Sequence, residues 1–395
     1  MFLQSISVYL ILMLFMMLCG IYAAKKENKY KSFNGEIIIE RRSFWNIEII
    51  FPLIVFAVVM GMRYDVGTDY FSYLYNYLDK TYSGKGEILF NLFSDVGWYL
   101  NLHYTVFFAA IAFTQILFFF LAFKDERYLF PFLIFFLFTN GNFLFLMNVL
   151  RQALAMCIWL YAIRFIDIKK KYVYFLICVA LFMIHRSSII LFIFYPILTN
   201  NKDYFESVKL QLILFFSAFI FKLLFSSIII QLDPIINFYT SLLGDGLYDS
   251  YSVSSLVSGI VESEGSGIAK YFKILLNLII ILYSTNLKKY YNSNRFIIIY
   301  FFFFLGVITT YIFPDGAISL SRPFRYFYIF QPIMYSYFLY YLYKKKIIEK
   351  NFLLLVGIII LFACIFLLSQ YSATENSHSL YQFYFQKLLL KEYPN

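Results

Sequence analysis

Charged residues are scarce: Asp, Glu, Lys and Arg make up only 14% of the 395 residues, against about 25% in an ordinary soluble domain. A water-soluble fold of this length could not cover its apolar surface with so few polar side chains. Disordered and coiled-coil classes are excluded for the same reason, and 16 Gly with 8 Pro are too few for a collagen-like chain. Cysteine is equally sparse. Cys19, Cys157, Cys178 and Cys364 lie far apart inside apolar runs with no CxxC spacing, which excludes a disulfide scaffold and points to small core residues. The three histidines are scattered, so no metal centre is expected. No Walker motif or dinucleotide fingerprint is present, which leaves ATP-driven transport without support. No internal repeat is visible.

What fills the chain instead is apolar: 62% hydrophobic residues, with 51 Phe and 37 Tyr, and a mean hydropathy of +0.71. The expected class is an all-α polytopic integral membrane protein forming a single domain over residues 1–395. Apolar segments long enough to enter a bilayer stand near 2–24, 45–62, 102–123, 128–147, 149–167, 172–185, 188–199, 209–230, 268–285, 296–313, 325–343 and 352–369. That is about twelve transmembrane helices. Segment 172–199 reads either as two short helices broken at His185-Arg186 or as one long helix carrying charge at mid-depth.

The net charge of +10 is explained by topology rather than by nucleic acid. Loops 25–44, 124–127, 164–171, 200–209, 286–295 and 344–350 fall on one face and hold 21 of the 33 Lys and Arg residues. The positive-inside trend makes that face cytoplasmic. Both termini then lie outside, and residues 2–22, lacking a basic start, read as an uncleaved anchor. The outward face carries two long segments, 63–101 and 231–267, so the working side is expected to be the outer one.

Several arginines depart from the trend in a shared way. Arg151 opens a span in Asn148-Val-Leu-Arg151-Gln152, and Arg186 follows His185 ahead of Ser187-Ser188. Arg322 and Arg325 bracket Pro323 after Ser321. Each place reads as an outward helix start, where the positive dipole end disfavours a cation unless an anion joins it. Guanidinium groups at helix N-termini suit phosphate oxygens. The plainer reading is that they snorkel to lipid headgroups. Arg63-Tyr-Asp65-Val-Gly67-Thr-Asp69-Tyr70 begins the first outward loop, and on a helix Asp65 and Asp69 would share a face. They could serve as base, sugar clamp or partners for arginine, or Arg63 and Asp65 could simply pair. His185 is a candidate general base, although a lone His in an apolar segment is more often a satisfied core residue. His103 and His378 receive no role.

The first outward loop, the Arg151-Gln152-Ala153 span start, the His185-Arg-Ser-Ser-Ile-Ile segment and Ser321-Arg322-Pro323-Phe-Arg325-Tyr326 together resemble the EpsG branch of the Wzy-type polysaccharide polymerases. The resemblance covers about residues 45–345. It implies a metal-independent glycosyltransferase of the bacterial inner membrane, an O-antigen or exopolysaccharide polymerase without a cofactor. Such an enzyme joins undecaprenyl-diphosphate-linked oligosaccharide units on the periplasmic face, alongside a flippase and a chain-length regulator. Arg63, Arg151, Arg186, Arg322 and Arg325 would then hold the diphosphates, and His185, Asp65 or Asp69 would act as base. The rivals are a lipid-linked oligosaccharide flippase and a glycosyltransferase using single lipid-phosphate sugars. A membrane acyltransferase is disfavoured because His185 has no acidic residue within a few positions.

Overall fold

A computed structural model describes residues 2–26, 28–33, 36–41, 43–82, 86–231, 268–313, 321–345, 349–371 and 380–386. The outward segment 231–267 therefore lies, apart from its first residue, outside the described residues. The chain divides into two compact units, the first formed by Met1–Tyr195 with Tyr335–Asn395 and the second by Pro196–Met334.

In the first unit, α1 (Phe2–Lys25) is followed by a two-stranded antiparallel hairpin of β1 (Asn28–Phe33) and β2 (Glu36–Arg41), with Asn28 opposite Arg41. This hairpin lies within the segment read as the basic inward loop 25–44. Then come α2 (Ile47–Gly61), β3 (Arg63–Tyr64), α3 (Tyr70–Leu78), α4 (Ile88–Tyr99) and α5 (Tyr104–Ala122). Next are α6 (Phe130–Thr139), α7 (Asn142–Asn148), α8 (Leu150–Ala162), α9 (Arg164–Asp167) and α10 (Lys171–Ile184). A 3-10 helix, Arg186–Ile193, leads into α11 (Phe194–Leu198). The second unit holds α12 (Val208–Gln231), α13 (Ile268–Leu282), α14 (Ser284–Tyr291), α15 (Asn294–Ile312) and a 3-10 helix, Arg322–Phe327. The chain passes back through α16 (Phe330–Lys344) to α17 (Glu349–Tyr371) and β4 (Gln382–Phe383).

The architecture is all-α and polytopic, as the composition requires. Among the described residues five helices are long and apolar enough to cross a membrane, and a sixth span arises if the pair bent by 66° at Gly141 counts as one. The remaining expected spans are shorter or interrupted helices, among them the 15-residue α2. Short apolar helices are tolerated at membrane depth where protein surrounds them. The interruptions have local causes. Gly141 adopts φ +78° between α6 and α7, a conformation that costs glycine little, and Pro131 sits in the first turn of α6. At the start of α15 the Ser293 hydroxyl accepts the Phe296 amide at 3.2 Å, an ordinary N-cap.

The loops grouped by their charge also meet in space within each unit. At one end of the first unit Arg164 lies 3.9 Å from Asp125, and the Tyr337 hydroxyl donates to Glu126 at 2.7 Å. A cavity of about 400 Å³ opens there, lined by Ser43–Trp45, Lys124 and Arg127 among others. At the opposite end, Arg63 and Tyr64 of β3 pair with Phe383 and Gln382 of β4. Gln4 bonds Gln386 at 2.7 Å beside them. Residues near both termini thus share the end from which loop 63–101 departs. In the second unit, Lys288 pairs with Asp203 at 2.7 Å, joining loops 200–209 and 286–295.

Candidate functional site

The site is built on a buried arginine. Arg63 is 1% exposed and donates to the carbonyls of Met60 at 2.6 Å, Met147 at 3.1 Å and Val66 at 3.4 Å. Its guanidinium carbon lies 5.0 Å from the Phe108 ring. A charge so placed is held by aligned carbonyl dipoles and ring faces, and it ties the end of α2 to the end of α7. The side chain read as a diphosphate ligand is therefore a clamp inside the protein. Arg63→Ala should cost about 3 kcal/mol of stability by leaving those carbonyls unpaired. A fall in melting temperature in detergent, with polymer following protein level, checks this; an unchanged melting temperature would contradict it.

The clamp holds a non-helical loop. Asp65 has φ +55° and Gly67 has φ +99°, so no helix runs through Asp65 and Asp69, and α3 starts only at Tyr70. A Cβ on Gly67 would stand 3.1 Å from the Asn148 Cα. Only glycine satisfies both that φ and that approach. The Asn148 side-chain oxygen accepts from the Asp69 amide at 2.9 Å and from the Thr68 hydroxyl at 3.1 Å. The loop is thereby pinned three residues before Arg151. On α3 the buried residues Tyr70, Tyr73, Leu74 and Tyr77 form one stripe at helical spacing, which turns the Tyr73 hydroxyl inward.

At the same level the break in segment 172–199 falls where the two-helix reading placed it. His185 is extended, with φ −154° and ψ 117°, between α10 and the 3-10 helix. Across from it, at the start of α4, stands a residue that the sequence reading did not select: Glu87, 5% exposed. One oxygen of its carboxylate faces the His185 Nδ1 at 2.8 Å and the Arg186 amide at 3.4 Å. The other is paired with Arg151 Nη1. Arg151 Nε donates to the Tyr73 hydroxyl at 3.4 Å, and its guanidinium carbon lies 5.9 Å from that ring. The Arg186 guanidinium lies against Gly86, where a Cβ would come within 2.0 Å of Nη2.

The electrostatics follow from these neighbours. Burial pushes the Glu87 carboxyl up, but the hydrogen bond from His185 and the Arg151 charge outweigh it and hold the group below its ordinary range. Glu87 is then an anion that can only accept. Because its folded value is depressed, the stabilisation it contributes is present above the usual carboxylate range and is lost as pH falls through the folded value. Burial pushes the Tyr73 phenol up, against the opposing charge of Arg151, so it stays protonated. The cluster contains two guanidinium groups and one buried carboxylate, with Asp69 within electrostatic reach of Tyr73. Among the described residues His185 Nε2 and Arg151 Nη2 make no hydrogen bond. Such a cluster can take a proton at one point and an anion at another.

Of the residues selected from sequence, the structure brings Arg151, His185 and Arg186 together, sets Asp69 beside them through Tyr73, and leaves Asp65 at the loop turn. Arg322 and Arg325 lie in the second unit, on a six-residue 3-10 helix with Pro323 in its first turn and no side-chain cap from Ser321. Glu87 could have been sought from one signal. His185 and two arginines at one membrane end call for a carboxylate, and Gly86-Glu87 precedes the apolar-patterned helix of an outward loop.

A protein-family model described as "EpsG family" matches residues 46–385. No curated protein and no solved structure matches the chain.

Proposed function

The chain belongs to the EpsG family, whose members are Wzy-like polysaccharide polymerases, and from this membership we propose that it joins undecaprenyl-diphosphate-linked oligosaccharide units on the periplasmic face of the bacterial inner membrane. The observation that carries the reading is the cluster of Glu87, His185, Arg151 and Arg186, with an open imidazole nitrogen beside surplus guanidinium charge. In the reaction the acceptor sugar hydroxyl gives its proton to His185 Nε2. Its oxygen bonds to the anomeric carbon of the donor chain as the bond from that carbon to the diphosphate oxygen breaks. Undecaprenyl diphosphate leaves with the electron pair, and the imidazolium returns its proton to water. The leaving group needs charge stabilisation, which Arg151, held by Glu87 and Tyr73, supplies as a fixed donor, with the exposed Arg186 guanidinium beside it. Arg63 is left out of this set.

Deleting the gene in a Gram-negative host tests the reading. The expected lipopolysaccharide carries a single repeat unit and gives no ladder on a gel. Loss of the repeat altogether, with lipid-linked units trapped inside, would favour a flippase. An unchanged ladder would overturn the proposal.

A further inference from the structure

We propose that Glu87 is the positioning residue of this site, holding the imidazole of His185 and the guanidinium of Arg151 on one carboxylate so that the base and the leaving-group clamp keep a fixed spacing. The inference rests on the reading of His185 as base. It concerns a residue that touches neither sugar nor phosphate.

Three features of the geometry lead there. First, the carboxylate divides its oxygens: one faces His185 Nδ1 at 2.8 Å and the other is paired with Arg151 Nη1. An ionised carboxylate only accepts, so Nδ1 must be the protonated nitrogen of the neutral imidazole. Nε2 is then the lone-pair nitrogen, which is the form a general base requires. Second, Glu87 is set rigidly. Its backbone carbonyl accepts the Asn91 amide at 3.0 Å in the first turn of α4, and its side chain is 6% exposed, so water does not compete for the carboxylate. Third, the groups facing it come from every neighbouring element: Arg151 from α8, His185 and the Arg186 amide from the break after α10, and Tyr73 from α3, bonded to Arg151. Asp69 acts on this set through Tyr73. The arrangement parallels the carboxylate behind the histidine of a hydrolase triad, which fixes the tautomer and steadies the imidazolium. Here it has a second duty toward the anion clamp.

Two lines of measurement test this on the full-length protein in lipid nanodiscs. In the first, ¹⁵N-histidine spectra of the wild type, with the His185 signal assigned by its loss in His185→Gln, should show the Nδ1–H tautomer. An Nε2–H tautomer would overturn the proposal without any change at Glu87. In the second, polymerisation kinetics are compared for Glu87→Gln and Glu87→Asp at matched melting temperature. A Gln amide can donate to Nδ1 and reverse the tautomer, so kcat should fall on the order of 10²–10⁴-fold, as when the triad carboxylate is made an amide. KM should change little. Glu87→Asp keeps the charge and should recover part of kcat. Wild-type kcat in Glu87→Gln would overturn the positioning role while leaving the polymerase reading intact. Absence of polymer from the wild-type protein would instead overturn the polymerase reading.

Discussion

Arg151→Lys is expected to leave almost no polymer, nearly as little as Arg151→Ala, at unchanged protein level. Arg151 spends Nη1 on Glu87 and Nε on the Tyr73 hydroxyl, and Nη2 is left to face a ligand. A lysine ammonium is a point charge on a flexible stem. It can neutralise Glu87 or reach a phosphate oxygen, but it cannot do both from a fixed plane. Removing one preorganised donor from such a site costs about 2–4 kcal/mol of transition-state stabilisation, or roughly 10²–10³-fold in rate. An arginine that merely snorkelled to lipid headgroups would be replaced freely by lysine. Pairing with a carboxylate on a side chain only 6% exposed separates Arg151 from that case. A surface-polysaccharide gel beside an immunoblot reads the result, and a full ladder from Arg151→Lys would remove Arg151 from the clamp.

His185→Ala is expected to abolish polymer while lipid-linked substrate still binds and the protein still accumulates. The imidazole offers a lone-pair nitrogen for a proton while Glu87 fixes its orientation through Nδ1. Loss of a general base costs about 10²–10⁴-fold. Asp65→Asn and Asp69→Asn keep shape and remove charge, and both should retain a ladder. Asp65 sits at a left-handed turn, and the Asp69 amide is committed to Asn148. A ladder that survives His185→Ala but vanishes in Asp69→Asn would move the base to Asp69.

Much of this was legible before any coordinate was placed. The membrane class follows from composition, because so little charge cannot solvate so much apolar surface. The grouping of loops by Lys and Arg content agrees with the contacts Arg164–Asp125 and Lys288–Asp203. The break at His185-Arg186 showed itself as polar residues inside an apolar run. The family was recognisable from short motifs spread over most of the matched region.

What stayed hidden has a common physical cause, which is long-range partnership. Glu87 lies 98 residues before His185 and 64 before Arg151, so no local spacing joins them. Arg63 reads from sequence as an exposed loop arginine, yet Met147, 84 residues away, supplies one of its acceptors. Asp65 and Asp69 share no helix face, since positive φ at Asp65 and Gly67 keeps helical geometry from starting before Tyr70. Among the described residues only five or six helices are long enough to cross, because other apolar runs, such as Ile47–Gly61 and Lys171–Ile184, form helices too short by that measure. The hairpin at Asn28–Arg41 lies in a segment whose charge marks it as a loop, although its alternating residues suit paired strands.

Purified protein reconstituted into lipid vesicles with a single synthetic undecaprenyl-diphosphate-linked repeat unit tests the central claim most directly, with products read by mass spectrometry. The account predicts dimers, trimers and longer chains still attached to one lipid diphosphate, with one undecaprenyl diphosphate released for each linkage formed, and none of these from His185→Ala or Arg151→Lys. Movement of the intact lipid-linked unit across the vesicle membrane, with no new glycosidic linkage and no released lipid diphosphate, would contradict it.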